Sequence, residues 1–181
     1  VDGAGISRVN LIDATPIGVN VRSTVATYSG VLDELRRAFA RTEEARADGL
    51  KPGAFSYNTG SLRCPTCDGT GQITLDVQFL PDVDIECTEC RGSRYGAQAA
   101  SILRDGLSLP DIMAMSVDEA RVAVRGLKKA GALLETLSGL GLGYLTLGEA
   151  TPALSGGEAQ RLKLASEMGR RQDGALFVFD E

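Results

Sequence analysis

The chain has 181 residues, a formal net charge of −5 and a sequence pI of about 4.9. Its length suits one domain with insertions, and a hydrophobic content of 43% is enough to form a core. The acidic balance is not typical of a nucleic-acid-binding protein, and the sequence shows neither a transmembrane run nor the charged start of a signal peptide. We therefore expect a cytoplasmic protein that is not attached to a membrane.

The first predicted elements are a strand and a helix. A strand is predicted over residues 8–13, and a loop rich in turn-forming residues follows it up to residue 30. Apolar residues then recur at the spacing of one helical face. This spacing predicts a helix over residues 31–48, ended by Gly49.

All four cysteines of the chain lie in two C-x2-C pairs that are separated by 19 residues. They are Cys64, Cys67, Cys87 and Cys90. The spacing is that of a four-thiolate Zn²⁺ site, in which each pair presents two sulfurs to one tetrahedral ion. The chain has no histidine, and a site closed by four thiolates is structural rather than catalytic. Two disulfides or free thiols are the alternative, and the lack of a secretory signal disfavours disulfides.

The segment around these pairs supports a second hypothesis. Residues 64–71 follow a C-x2-C-x-G-x-G pattern that also occurs in the zinc modules of J-type co-chaperones, so the chain could be a zinc-dependent protein-interaction module. Residues 73–79 alternate in polarity, which predicts a strand between the pairs. Over residues 61–96, three arginines are outnumbered by six acidic residues. This segment therefore lacks the positive charge of a phosphate-binding surface.

Helices are predicted from Leu109 onward. Ser116, with Glu119 three residues later, has the pattern of a capping box and opens a helix predicted to reach about Leu137. Four basic residues share one face of that helix: Arg121, Arg125, Lys128 and Lys129. A solvated surface is the preferred interpretation of this face, and contact with DNA phosphates is the alternative.

The octapeptide at residues 154–161 reads Leu-Ser-Gly-Gly-Glu-Ala-Gln-Arg and resembles the signature of ABC-type ATPases. Its serine can cap a helix, and its two glycines let backbone N–H groups come close to a phosphate at the helix start. We predict that nucleotide is bound through five residues of this segment. They are Ser155, Gly156, Gly157, Glu158 and Gln160. The alternative is an ordinary capped helix that begins after a turn.

The chain closes with an apolar run, residues 176–179, followed by Asp180 and Glu181. Such a run predicts a buried strand, and the Asp-Glu pair resembles the end of a Walker B strand. We predict that both carboxylates are catalytic: Asp180 would help to hold Mg²⁺, and Glu181 would orient or deprotonate the attacking water. The alternative is a strand that ends in a solvated acidic turn. Because the chain contains no G-x-x-x-x-G-K-[ST] phosphate loop, we expect it not to hydrolyse ATP by itself.

Ten short motifs, in one order along the chain, resemble the UvrA family, the A component of the bacterial excinuclease ABC. The motifs are residues 11–13, 16–18, 22–23, 26–31, 51–53, 55–58, 79–83, 94–95, 141–145 and 147–148. No motif is decisive alone, but the ordered set is specific and extends over almost the length of the chain. The resemblance is to the carboxy-terminal of the family's two ATPase halves, so the chain is expected to be a fragment of such a protein.

This resemblance implies an ATPase that recognises DNA damage in bacterial nucleotide excision repair. Such a protein is expected to form a homodimer and to bind ATP with Mg²⁺, structural Zn²⁺ and damaged duplex DNA. It would load the B component of the excinuclease onto lesions through a region that is not in this chain, without cutting DNA itself. The resemblance also leaves open a family paralogue with a role in drug tolerance.

One departure from the family concerns a short turn near the start of the chain. The family has Asp-Gln-Ser-Pro there, whereas this chain has Asp13, Ala14, Thr15 and Pro16. The family's Gln would contact the metal or the attacking water. Ala14 therefore weakens the case for ordinary ATPase chemistry.

We predict an α/β fold with a helical subdomain, formed by part of an ABC-type ATPase head with a zinc-binding insertion of four cysteines. Residues 1–54 would belong to the ATPase core and the start of the insertion, and residues 55–96 to the zinc-binding module. Residues 97–150 would form the helical signature subdomain, and residues 151–181 the signature helix and the Walker B strand.

Overall fold

The structure, a computed structural model, describes residues 5–18, 20–75, 83–169 and 172–180. It divides into two compact units: residues 1–31, 116–145 and 149–181 form the first, and residues 32–115 and 146–148 form the second. Both units mix helices with strands, as the α/β prediction requires. The four predicted sections are a finer division and stay a prediction. Among the described residues, none of the helices has the length and apolar character needed to span a membrane.

The described residues form six short strands in three two-stranded sheets. The strands are β1 (Arg8–Ile12), β2 (Gln72–Leu75), β3 (Val83–Glu86), β4 (Leu103–Arg104), β5 (Leu107–Ser108) and β6 (Ala175–Phe179). β1 and β6 pair in parallel although most of the chain lies between them. β2 with β3, and β4 with β5, are antiparallel pairs of strands that follow each other in the chain.

The same residues form eight α-helices. They are α1 (Val25–Tyr28), α2 (Val31–Phe39), α3 (Glu43–Ala47), α4 (Ala97–Ser101), α5 (Leu109–Ala114), α6 (Val117–Ala123), α7 (Lys128–Leu137) and α8 (Gly156–Met168). Short 3-10 turns occupy Pro52–Phe55 and Thr151–Ala153. α7 continues into a π-type turn over Ser138–Leu142.

The prediction of one continuous helix over residues 31–48 was wrong. The chain forms α2 and α3 there, with a turn over residues 40–42 between them. Thr42 causes the restart because it caps the second helix: its hydroxyl accepts a hydrogen bond from the N–H of Ala45 at 3.3 Å. A side chain that bonds the backbone in this way favours a helix start over a helix interior.

The helix predicted from Ser116 to about Leu137 is also two helices, α6 and α7. Its capping box is confirmed: the Ser116 hydroxyl accepts from the N–H of Glu119 at 3.3 Å, and the Glu119 carboxylate accepts from the N–H of Ser116 at 2.8 Å. The break lies at residues 124–127, where Gly126 has a φ of 93°. A helix interior does not allow a positive φ, so the chain must leave the helix there.

The core of the first unit lies under α8. One face of this helix is buried: Ala159, Leu162 and Ala165. It packs against α7, which buries Ala130, Leu134 and Leu137. Apolar residues at three- and four-residue steps on both helices therefore form one apolar layer.

The strand predicted at residues 176–179 is present as part of β6, but the prediction that it is buried was wrong for this chain. Within the described residues β6 is hydrogen-bonded only to β1. Apolar side chains of both strands are between 41% and 61% exposed: Val9, Leu11, Leu176, Val178 and Phe179. A strand with a single neighbour keeps much of its apolar surface in solvent.

The core of the second unit is rich in aromatic side chains. The rings of Phe39 and Phe55 lie 6.1 Å apart between centroids, and those of Tyr57 and Tyr95 meet edge to face at 6.0 Å. The hydroxyl of Tyr95 donates to the backbone oxygen of Phe55 at 2.9 Å. These contacts fix the segment that leads into the first cysteine pair.

Candidate metal centre and nucleotide site

The four cysteines come together in one buried cluster within the second unit. Their ligand sulfurs all lie within 4.8 Å of one another. The Sγ atoms of Cys64 and Cys87 are 3.9 Å apart, and those of Cys67 and Cys90 are 3.6 Å apart. Thiolates about 2.3 Å from a tetrahedral Zn²⁺ would be about 3.8 Å from one another, so the cluster fits this ion. No two of these sulfurs are bonded to each other, whereas a disulfide needs about 2.05 Å, so the disulfide alternative was wrong.

Two similar turns shape the cluster. In each pair the second cysteine is followed by a residue with a positive φ and then by a glycine. These residues are Asp68 with Gly69 and Arg91 with Gly92. Glycine is required at residue 69, because a Cβ atom there would lie 1.8 Å from the backbone oxygen of Tyr57. The sequence therefore places a small residue where the turn passes closest to the aromatic core.

Backbone hydrogen bonding favours the thiolate form of one ligand. Burial raises the pKa of Cys67, but the N–H of Gly71, 3.2 Å from the sulfur, and the neighbouring thiols outweigh it and bring that pKa to about 7. Burial also acts on Cys90, whose pKa it raises to about 12. Because zinc binds thiolates, uptake of the ion would release protons from this cluster, and binding would weaken as the pH falls.

The predicted signature segment forms the start of α8 in the first unit. Ser155 is its N-cap: the hydroxyl accepts from the N–H of Glu158 at 3.4 Å, and the Glu158 carboxylate accepts from the N–H of Ser155 at 2.7 Å. Ser155, Gly156 and Gly157 are exposed. The first N–H groups of a helix have no acceptor within the helix, so this start has the arrangement that binds an anion.

Glu158 and Gln160, the other two residues predicted to bind nucleotide, make contacts inside the first unit. Glu158 closes the capping box and accepts a hydrogen bond from the hydroxyl of Tyr144. The amide of Gln160 donates to the backbone oxygens of Ile12 and Asp180, each at 3.1 Å. Gln160 thereby joins the ends of β1 and β6 to α8. A contact of either side chain with nucleotide stays a prediction.

The two catalytic carboxylates were predicted at the end of β6. Asp180 follows this strand with an exposed side chain, and its N–H donates to the backbone oxygen of Ile12 at 3.2 Å. Ile12 is the register partner of Phe179, so the residues that follow them, Asp13 and Asp180, lie at the same edge of the parallel sheet. Glu181 lies outside the described residues.

Lys163 of α8 holds the turn that follows β1. Its ammonium group is hydrogen-bonded to the carboxylate of Asp13, and it lies 2.9 Å from the backbone oxygen and 2.8 Å from the hydroxyl of Thr15. Hydrogen bonds from Lys163 and then from Thr15 lower the pKa of Asp13 to about 2. The turn also meets the helix start, because a Cβ atom on Gly156 would lie 3.2 Å from the Cβ of Ala14.

Polar contacts continue along the same side of α8. The amide of Asn10 donates to the carboxylate of Glu167 at 3.1 Å, and a guanidinium nitrogen of Arg8 lies 3.8 Å from that carboxylate. Gln160, Lys163 and Glu167 are three and four residues apart, so they share one helical face. The signature helix is therefore bonded to β1 and its following turn at three successive levels.

Asp13 and Lys163 were not identified as site residues from the sequence. A signal for Asp13 existed, since β1 and β6 are each followed directly by an aspartate. No local pattern marks Lys163, because 150 positions separate it from Asp13.

The prediction that four basic residues share one helical face was wrong. Because the chain leaves the helix at residues 124–127, Arg121 lies on α6, whereas Lys128 and Lys129 lie on α7. Arg121 is bound to Glu135 at 2.7 Å. Arg125, Lys128 and Lys129 are not buried, as the solvated interpretation requires.

A helix that begins on Ser-Gly-Gly-Glu, beside two parallel strands that each lead into an aspartate, is typical of an ABC-type ATPase head. The unit that holds the cysteine cluster is inserted in the sequence of this head. Comparison with known proteins agrees with an ABC-type ATPase head and identifies the family within that class.

The chain is 45% identical to the UvrABC system protein A of Synechocystis sp. and 44% identical to that of Bacillus subtilis, each over 177 residues, 97% of this chain and 18% of the relative. The crystal structure of UvrA2 from Deinococcus radiodurans matches it with a TM-score of 0.91 and 41% identity, over 99% of this chain and 22% of that chain. No protein-family model matches. The chain belongs to the UvrA family, and it spans about a fifth of the length of these relatives.

Proposed function

We propose that this chain is a segment of a UvrA-type ATPase that recognises DNA damage in bacterial nucleotide excision repair. Similarity to UvrA proteins over 97% of the chain supports this proposal. A drug-tolerance paralogue gains no support from the comparisons. A zinc-dependent interaction module would need neither the capped start of α8 nor the parallel strand pair, so these features disfavour it.

Zn²⁺ would be held by Cys64, Cys67, Cys87 and Cys90, and its role would be structural. Four thiolates complete a tetrahedral coordination and leave no position for water or substrate. The ion would instead hold together the two turns of the second unit, where Ile73 is the partly buried hydrophobic residue that packs against the cluster among the described residues.

The exposed, capped start of α8 is the observation that supports a nucleotide role most directly. The hydroxyl of Ser155 and the N–H groups of Gly156 and Gly157 can donate to a terminal phosphate of ATP, and the positive end of the helix dipole adds to the attraction. In ABC-type heads such a helix closes over a nucleotide on the opposing head. These three residues would therefore complete a site in the other half of a dimer or of a two-headed protein.

Asp180 and Glu181 would serve a different nucleotide, bound to the head that contains this chain. Asp180 would help to hold Mg²⁺, and Glu181 would orient or deprotonate the attacking water. Ala14 packs its methyl group towards Gly156 and offers no amide to the metal or to the water. Positioning of the water would consequently depend on Glu181, without a second polar side chain from residue 14.

Damaged duplex DNA, a second UvrA-type protomer and the B component of the excinuclease are the partners that we propose for the intact protein. The side chains of Arg125, Lys128 and Lys129, none of them buried, are candidates for contact with DNA phosphates. The zinc-binding segment, residues 61–96, is a poor candidate for such contact because its acidic residues outnumber its arginines. The B component would bind through a region outside this chain.

ATP turnover by the intact protein tests the nucleotide role. Ser155→Arg would fill the helix start with a long side chain, so we expect turnover to be lost while ATP binding persists. Ala132→Arg, at an exposed position of α7, is the matched control and should turn over ATP normally. Normal turnover by Ser155→Arg would overturn the role of this helix, and robust turnover by the purified 181-residue chain would overturn the division of roles between the two sites.

A further inference from the structure

Arg94 is the one charged residue that is buried within the part of the chain that the structure describes, with 7% of its surface exposed. It lies just after the second cysteine pair, in a backbone conformation with a φ of 72°. Burying a guanidinium group is costly unless nearby groups stabilise its charge. The groups around Arg94 therefore indicate which part of the molecule its positive charge stabilises.

The contacts of Arg94 reach both cysteine pairs. Its Nη1 donates to the backbone oxygen of Thr70, in the turn after the first pair, at 2.8 Å. Its own backbone oxygen accepts from the N–H of Cys64 at 2.9 Å. Its guanidinium carbon lies 5.2 Å from the centroid of the Tyr57 ring, whose electron-rich face attracts a cation. One residue thus joins the second cysteine pair to the first.

The electrostatics of Arg94 point towards the cluster. The side chain of Arg94 lies against the turn that bonds the cluster: its Cγ would be 3.2 Å from a Cβ atom on Gly71, whose N–H donates to the sulfur of Cys67. Burial lowers the pKa of Arg94, and negative charge on Tyr57, Cys67 and Cys90 would oppose that shift. Four thiolates around one Zn²⁺ have a net charge of −2. In a buried site, where the dielectric constant is low, a cation beside such a group stabilises it more strongly than it would in water.

We propose that Arg94 is the charge-compensating residue of the zinc centre. It acts through Cys67 and Cys90 rather than on the metal, lowering the electrostatic cost of gathering four thiolates in a buried cluster. Its contacts with Thr70 and Cys64 hold the guanidinium where this charge is needed. The proposal does not depend on the ATPase function.

Zinc affinity of the whole chain, measured by competition with a chromophoric chelator, tests this proposal. Arg94→Met keeps a long side chain without charge, and Arg94→Gln keeps a hydrogen-bond donor for Thr70 without charge. We expect both variants to bind zinc about 10- to 100-fold more weakly. Arg94→Lys, which keeps the charge, should recover most of the affinity, and Arg46→Met, at an exposed arginine of α3, should not change it.

Co²⁺ provides a second measurement that packing alone would not change. The thiolate-to-metal charge-transfer band of the Co²⁺-loaded chain should move to lower energy in Arg94→Gln, because thiolates without a nearby cation release electron density more readily. The band should stay in place in Arg94→Lys. Wild-type zinc affinity in Arg94→Gln, or an Arg94→Lys variant as weak as Arg94→Gln, would overturn the proposal. If Arg94→Met fails to fold, the comparison between Arg94→Gln and Arg94→Lys still tests the role of the charge.

Discussion

The proposed metal centre would take all its ligands from residues 64–90, whereas the residues proposed to bind nucleotide come from the ends of β1 and β6 and from the start of α8. Two local turns bring the sulfurs of the four cysteines together, so the whole cluster is formed by a short stretch of the chain. The nucleotide residues depend on pairs that are far apart in sequence, such as Lys163 with Asp13. A change in the first site should act mainly on folding, and a change in the second mainly on turnover or on local electrostatics.

Loss of one zinc ligand should have the largest effect. Zinc binding supplies about 10–16 kcal/mol of apparent free energy in small zinc domains, so Cys87→Ser should abolish stoichiometric zinc and the order of residues 61–75 and 83–96. Elemental analysis should find one zinc per folded wild-type chain and far less in the variant, and amide hydrogen exchange should rise in that segment. Thr66→Ser, at an exposed residue between two ligands, is the control. A folded wild-type chain with much less than one zinc would contradict the assignment.

The next largest effect is expected at the predicted catalytic base. In the intact protein, Glu181→Gln should lower ATP turnover by about 10²- to 10⁴-fold, the usual contribution of a general base, while ATP remains bound. Turnover and retained nucleotide should be measured in the same preparation. Asp173→Asn, at an exposed acidic residue before β6, should behave as wild type. Persistent turnover in Glu181→Gln would show that another group activates the water.

Gly69→Ala tests how closely the first turn approaches the aromatic core. The new Cβ atom would lie 1.8 Å from the backbone oxygen of Tyr57, at a φ of 78°, so we expect the free energy of unfolding to fall by about 2–4 kcal/mol. Urea unfolding at saturating zinc should show this loss. Gly53→Ala is the matched control, since no atom lies within 4 Å of the position that its methyl group would take, and its effect should stay near about 0.5 kcal/mol. Equal stability of the two variants would contradict the contact.

The smallest effect concerns the charge pair between α8 and the turn after β1. The pKa of Asp13 is lowered from 3.8 to about 2, so the pair stabilises the fold above pH 3.8, and this contribution is lost as the pH falls towards 2. Lys163→Met should return the pKa of Asp13 towards 3.8, whereas Lys129→Met, at an exposed lysine, should not. A carbon-13 NMR titration of the Asp13 carboxyl group would measure its pKa directly. Titration near 3.8 in the wild type would rule out the pair.

Local features of this chain were predicted well from its sequence. The C-x2-C pairs, the capping box at Ser116 and the helix start at Ser155 are each short local patterns, and the structure confirms the clustering of the thiols and both helix starts. The strands near the two ends of the chain were also placed correctly, because each is a short segment that ends directly before an aspartate.

Features that depend on competition between neighbours or on distant partners were not predicted. Thr42 and Gly126 each interrupt an apolar pattern that is typical of one long helix. Thr42 caps a new helix, and Gly126 takes a positive φ that a helix interior does not allow. The burial of β6 depends on the strands and helices that pack against it, and the residues of β6 itself do not specify these neighbours. The contacts of Lys163 and Arg94 form only where segments far apart in sequence meet, so the sequence around either residue did not predict them.

The three levels of bonding between α8 and β1 have a mechanical consequence. Ser155 and Lys163 are eight positions apart, roughly 12 Å along a helix. Sliding the helix by a single turn would separate Gln160, Lys163 and Glu167 from all their partners at once, so helix and strand resist relative translation. A displacement of the turn that contains Asp13 should therefore be accompanied by a displacement of α8 and of its exposed start at Ser155.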